Sequence, residues 1–176
     1  ATLSDLFEIE AGYAGHGESM LPLVYGEATS IRDWAIGGVY GQWVQIQDGD
    51  NKYIRAPVNN GFPLSMWSNR WSTMPTPIPG LRLPDPDHRA YLDFMPESKI
   101  PVIRQPFQEG DLLPYWSANP QIGDHHLYKL KEDPTEENNL LGDPLEEKML
   151  DLLHTALTAV NAPEEQFIRL GLEDSN

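Results

Sequence analysis

The strongest periodicity lies late in the chain. Leu145, Met149, Leu152, Leu153, Ala156, Leu157 and Val160 fall on one stripe at helical spacing, which predicts an amphipathic helix over 144–160. Asp143-Pro144 with Glu146 supplies a cap, a first-turn proline and a reciprocal acid at its start. Asp133-Pro134 with Glu136 repeats that grammar and predicts a short turn. Pro163 to Leu170 reads as a second short helix, stopped by Gly171. Residues 32–55 follow another rule. Trp34, Ile36, Val39, Tyr40, Trp43, Val44, Ile46, Tyr53 and Ile54 are β-favouring, and Val44 and Ile46 alternate with Gln45 and Gln47, giving one buried and one wet face. Asp48-Gly49-Asp50-Asn51 between two such runs signals a hairpin, and Gly37-Gly38 signals a bulge or a close backbone approach. His125 to Leu130 is a further strand candidate. Leu3, Leu6 and Phe7 share one face of a helix over Ala1–Ile9, too short to be stable unsupported. Ser19 to Val24 reads as an extended or turn segment ending at Gly26.

Residues 56–120 break both periodicities. They hold 12 of the 16 prolines and three of the five tryptophans. Met74-Pro75-Thr76-Pro77-Ile78-Pro79-Gly80 can continue neither a helix nor a central strand. The retained Phe62, Trp67, Trp71, Tyr91, Phe94, Phe107 and Trp116 argue for an ordered, irregular layer over a flexible linker. The expected fold is therefore α+β: a small four-stranded antiparallel sheet from 32–55 and 125–130, the long C-terminal amphipathic helix packed on it, and the irregular Pro/Trp-rich layer beside them.

Charge narrows the partners. Twelve Lys+Arg face 27 Asp+Glu, a net charge of -15 in 176 residues. Nonspecific binding to nucleic acid or to an anionic membrane surface needs clustered positive charge, so neither is expected. No apolar run approaches the ~20 residues of a membrane span. With no cysteine, disulfides, thiolate metal sites and cysteine nucleophiles are excluded within these residues.

Catalytic candidates are few. His125 and His126 are adjacent on a strand and point to opposite faces, so they do not converge on one ion. His16 and His88 lie in loops without a partner at ligand spacing, and His154 reads as solvated. No Gly-x-Ser-x-Gly elbow and no phosphate-cradling glycine motif is present. Glu136-Glu137 and Glu146-Glu147 are ordinary helix-start charges. The better set is Trp67, Asn69, Arg70 and Trp71 with Arg104. Arginine forks onto sulfate, phosphate or carboxylate, and tryptophan offers a face to a sugar or aromatic ring. The competing reading makes the tryptophans local core and pairs the arginines with nearby acids.

Three segments, in order, resemble one family. His126-Leu127-Tyr128-Lys129-Leu130-Lys131-Glu132-Asp133-Pro134-Thr135-Glu136-Glu137-Asn138-Asn139-Leu140 is similar to the C-terminal signature of type I sulfatases, a Leu-Tyr-Asp-Leu strand followed by Asp-Pro-x-Glu-x-Asn-Asn-Leu and an amphipathic helix. Gly17-Glu18-Ser19-Met20-Leu21-Pro22-Leu23-Val24-Tyr25-Gly26 resembles the family's Gly-x-Ser-Leu-x-Pro-Leu-x-x-Gly, and Thr2-Leu3-Ser4-Asp5-Leu6 its Thr-Leu-x-Asp-Leu. Asn51-Lys52-Tyr53-Ile54 fits the strand that usually precedes the signature. Two features depart: Lys129 stands where the family has Asp, and the Pro/Trp-rich layer replaces a short connection.

The resemblance implies a C-terminal piece of a sulfatase, within the alkaline phosphatase-like superfamily. Residues 1–26 would end the large catalytic domain and connect it to a C-terminal subdomain at 27–176, with an insertion at about 56–120. The family's nucleophile is a formylglycine made in Cys/Ser-x-Pro-x-Arg. This chain has no Cys and no Ser two places before a Pro. Formylglycine and calcium are thus expected in an N-terminal catalytic domain of the same protein, with no cofactor or metal ligand in this chain. The expected roles are scaffold and outer pocket wall, with Trp67, Asn69, Arg70, Trp71 and Arg104 facing a sulfated small molecule or carbohydrate. The chain alone is expected to be inactive and prone to self-association. Two alternatives stand: a self-standing binding module for an anionic carbohydrate, and the equivalent piece of a phosphate mono- or diesterase.

Overall fold

The structure, a computed structural model, describes residues 1–10, 15–69, 90–95, 99–109 and 123–173. The four-stranded antiparallel sheet is present. It comprises β1 (Ala35–Gly38), β2 (Val44–Gln47), β3 (Asn51–Arg55) and, after the long excursion, β7 (His126–Lys129), in spatial order β1-β2-β3-β7. Register sets the core. Ile36, Ile46, Tyr53 and Leu127 lie in one cross-strand row, so the whole row faces the same side. Ile46, Tyr53 and Leu127 are completely buried there.

Two helices cover that face. α3 (Leu145–Ala159) buries Met149, Leu153, Ala156 and Leu157, and α4 (Glu164–Leu170) adds Leu170, with Leu172 beyond it. Burying each such side chain contributes roughly 1.5–3 kcal/mol, which makes this cluster the main source of stability. The start of α3 uses the predicted residues one position displaced: Pro144 is the N-cap, the Asp143 carboxylate accepts from the Leu145 N–H at 2.8 Å, and Glu146 reaches back past Asp143 to the Gly142 N–H at 2.9 Å. Gly171 closes α4 in the left-handed conformation, with φ 62.

The hairpin between β2 and β3 is tied by Asp48. Its Oδ1 accepts from the backbone N–H of Asp50 and Asn51, and both carboxylate oxygens accept from the Asn51 amide. Gly38 marks a close approach: a Cβ there would stand 2.7 Å from the Trp43 carbonyl oxygen.

The irregular layer needs correction. Its described residues include a second antiparallel sheet, β4 (Leu64–Ser68), β5 (Tyr91–Phe94) and β6 (Pro101–Phe107), ordered β4-β6-β5. β6, the central strand, carries prolines at 101 and 106. β6 accommodates them because its neighbours are staggered. β5 pairs with residues 101–104 and β4 with 103–107, so each proline has a neighbour on one side only. Met74 to Gly80 lies outside the described residues.

Three smaller expectations also change. Of the two alternatives for Ser19 to Val24 the turn holds and the extended form does not: α2 (Leu21–Val24) is a single helical turn, with Pro22 in the first turn, where no N–H is needed. The first helix, α1, spans Thr2–Leu6 and is shorter than Ala1–Ile9. Asp133-Pro134 forms the expected short turn, closed by the Glu136 N–H on the Asp133 carbonyl at 3.2 Å, but Glu136 is not its reciprocal acid. Glu136 takes a positive φ of 58, and its carboxylate turns away to Lys52 at 2.8 Å. Asp133 instead accepts the N–H groups of Glu137 and Asn138.

Candidate functional site

Two of the five candidate side chains meet. Trp67 on β4 and Arg104 on β6 are cross-strand partners, and the guanidinium lies 4.9 Å from the indole ring centroid. Arg104 is already engaged. Its Nε donates to Ser65 Oγ at 2.9 Å and its Nη2 to Glu165 Oε2 at 2.9 Å, and Asp93 stands 3.6 Å away. Ser65 donates to the same Glu165 oxygen at 2.7 Å. Despite burial, this carboxylate neighbour keeps the guanidinium pKa above its ordinary value. Asn69 is exposed just beyond β4. Arg70 and Trp71 lie outside the described residues.

Glu165 belongs to a buried polar group between the second sheet and the main core. It is 6% exposed, and Arg169, one turn further along α4, is 2% exposed. Arg169 donates to the Gln42 carbonyl at 2.7 Å and to Gln166 Oε1 at 2.8 Å. Burial draws its pKa down to about 10, so it stays charged at neutral pH. Tyr40 beside them has its phenol pKa raised, first by burial and then by Glu165. Tyr40 Oη and Glu165 Oε1 are enclosed without a hydrogen-bond partner among the described residues. The sequence carries a signal for this group, Glu165 and Arg169 at i,i+4 spacing, which is equally the signature of a solvated pair.

The signature segment does structural work. Asn139 Oδ1 accepts from the Leu127 and Leu141 N–H groups, and its amide donates to the His125 carbonyl at 3.1 Å. The Leu140 N–H bonds to the Leu127 carbonyl at 2.9 Å. Residues 139–140 thereby cover the free edge of β7. Lys129 has Asp143 at 3.8 Å.

The histidines are occupied separately. His125 Nδ1 accepts from the Ala56 N–H at 3.1 Å, whereas His126 Nδ1 meets Tyr128 Oη at 2.9 Å. His154 is not simply solvated, because its ring packs edge-on against Phe167 with centroids 5.1 Å apart. Among the described residues no cluster of three His, Cys, Asp or Glu is placed to hold a metal ion.

Sequence reasoning missed a cleft of about 450 Å³ at the hairpin end of the first sheet, lined by Arg32, Asp33, Trp34, Gln47 and Asp48 among others. Trp34 counted only as a strand residue, and Arg32 carried no pattern at all.

No family model matches the chain, and no curated protein matches it either.

Proposed function

We propose that the chain is the C-terminal subdomain of a sulfatase-like hydrolase, acting as scaffold and outer pocket wall while another domain of the same protein holds nucleophile and metal. The observation that carries this reading is the use made of Asn139. The segment that resembles the sulfatase signature seals the edge of β7 and leads directly into the helix that covers the sheet. A motif with a tight local job at each end is a better guide than the letters alone.

Residues 1–26 support the same reading. Leu3, Phe7, Ile9 and Val24 are each more than 60% exposed, and α1 and α2 contribute nothing to the core. An apolar face of that kind fits against a neighbouring domain. On the pocket wall, Arg104 is neutralised by Glu165 and Asp93. Its role is then to stiffen the Trp67 ring, and the ring is what a substrate touches.

The test compares the complete gene product with residues 1–176 on an aryl sulfate, reading sulfate release. Release by the complete protein alone supports the proposal. Turnover by the 176-residue chain, or none by the complete protein, overturns it. In the complete protein, Trp67→Ala should change relative kcat/KM across a panel of sulfate esters.

A further inference from the structure

The cleft at the β2–β3 hairpin has an unusual set of unoccupied groups. The residues that line it include Arg32, Asp33, Trp34 and Gln47. Among the described residues, none of these four side-chain polar groups bonds to another protein group. The contrast with the other described arginines is sharp. Arg55 bonds to Leu170, Gly171 and Tyr53, Arg104 to Ser65 and Glu165, and Arg169 to Gln42 and Gln166. Among the described residues the Arg32 side chain has no such partner.

The walls are built, not fluid. Trp34 packs one side on the hydrophobic core, so its orientation is fixed while another side faces the cleft. Gln47 is held in register by β1 and β3 at Ala35 and Lys52. Asp48 on the floor is satisfied by Asn51 and by Lys148 at 3.2 Å, which balances its charge. Its hydrogen bonds from Asn51 and Lys148 outweigh burial and hold its pKa low.

Each free group has a chemical preference. Arginine forks onto a carboxylate or sulfate, an indole face takes the C–H side of a saturated ring, and a carboxylate with an amide takes hydroxyls. Asp33 and Asp48 in the lining and the net charge of -15 oppose a polyanion. We infer that the cleft binds a sugar ring carrying one anionic group, carboxylate or sulfate, with Arg32 on the anion, Trp34 under the ring and Asp33 and Gln47 on its hydroxyls. The inference stands apart from the sulfatase reading. Binding is read on the 176-residue chain, where that reading expects no turnover, and sulfate release tests the other claim separately.

The experiment is a titration of the labelled chain, following the Trp34 indole and Arg32 Nε–H resonances by nuclear magnetic resonance. The probes are glucuronate, glucose 6-sulfate, glucose and inorganic sulfate. Saturable shifts of both resonances with either acidic sugar, and affinity for glucose about tenfold weaker or less, are expected. Whichever acidic sugar binds more tightly identifies the anion. Arg32→Gln, at an exposed position, should lower the acidic sugars to the level of glucose with the rest of the spectrum unchanged. Equal binding of glucose and the acidic sugars, retention of their preference in Arg32→Gln, or no saturable shift overturns the inference. So does an equal Trp34 shift with inorganic sulfate alone.

Discussion

Asn139 completes the hydrogen bonding of Leu127 from outside the sheet. Its side-chain oxygen accepts the Leu127 N–H at 2.9 Å, on the edge of β7 that no strand among the described residues covers. Leu127 is itself fully buried in the core row. One amide side chain therefore joins the last strand to the segment that launches α3.

Removing that side chain should be costly. Asn139→Ala leaves the Leu127 N–H and the His125 carbonyl without their partner, a loss of about 1–3 kcal/mol. Asn139→Asp keeps the acceptor and loses the donor, and should fall between the two. Urea unfolding midpoints at constant m-value would measure both. An unchanged midpoint for the alanine variant would show that water replaces the clamp.

Glu165 should matter more than an exposed acid. Its Oε2 receives both Ser65 and Arg104, and Glu165→Ala removes the main partner of a partly buried guanidinium between the second sheet and α4. A loss of about 2–4 kcal/mol is expected. Replacing the pair together, Glu165→Leu with Arg104→Met, should recover part of it. A double variant no better than the single one would mean that the pair contributes more than mutual neutralisation.

Stability should fall on mild acidification because of His125. Burial, then the Arg55 charge, lowers its folded pKa below the ordinary 6.5. The unfolded chain therefore takes up the proton first. The stabilising contribution is complete above about 6.5 and is lost as pH falls from there through the lower folded pKa. Unfolding at pH 7.5 and 5.5 should show the drop, and His125→Gln should flatten it. Asp48 and Asp133, whose pKa values are lowered from 3.8, act only in a more acidic range.

Two neighbouring glycines should behave differently. Gly38→Ala drives a Cβ against the Trp43 carbonyl at 2.7 Å, whereas Gly37→Ala meets only the flexible Gln45 side chain at 3.4 Å. The first should cost about 1–3 kcal/mol and the second less than 1. Thermal melts of the two variants check the order.

The sequence by itself determined the first sheet, its hairpin and both C-terminal helices. Their signals are local: alternation over Val44–Gln47, the Asp48–Asn51 turn, and the stripe from Leu145 to Val160. Each one names the face it buries, so a single reading suffices. It also determined that His125 and His126 diverge, because adjacent strand residues must.

Tertiary structure decided the rest. The second sheet was hidden because prolines at 101 and 106 are forbidden only beside two neighbours, and the stagger of β4 and β5 is not written locally. Trp67 and Arg104 meet through cross-strand register over 37 residues, which sequence spacing does not encode. What occupies Arg104 is more distant still, a glutamate 61 residues on that comes into reach only once α4 docks. Arg32 is the converse case. Among the described residues its side chain has no partner, which follows from where the described acids come to rest, and packing fixes that.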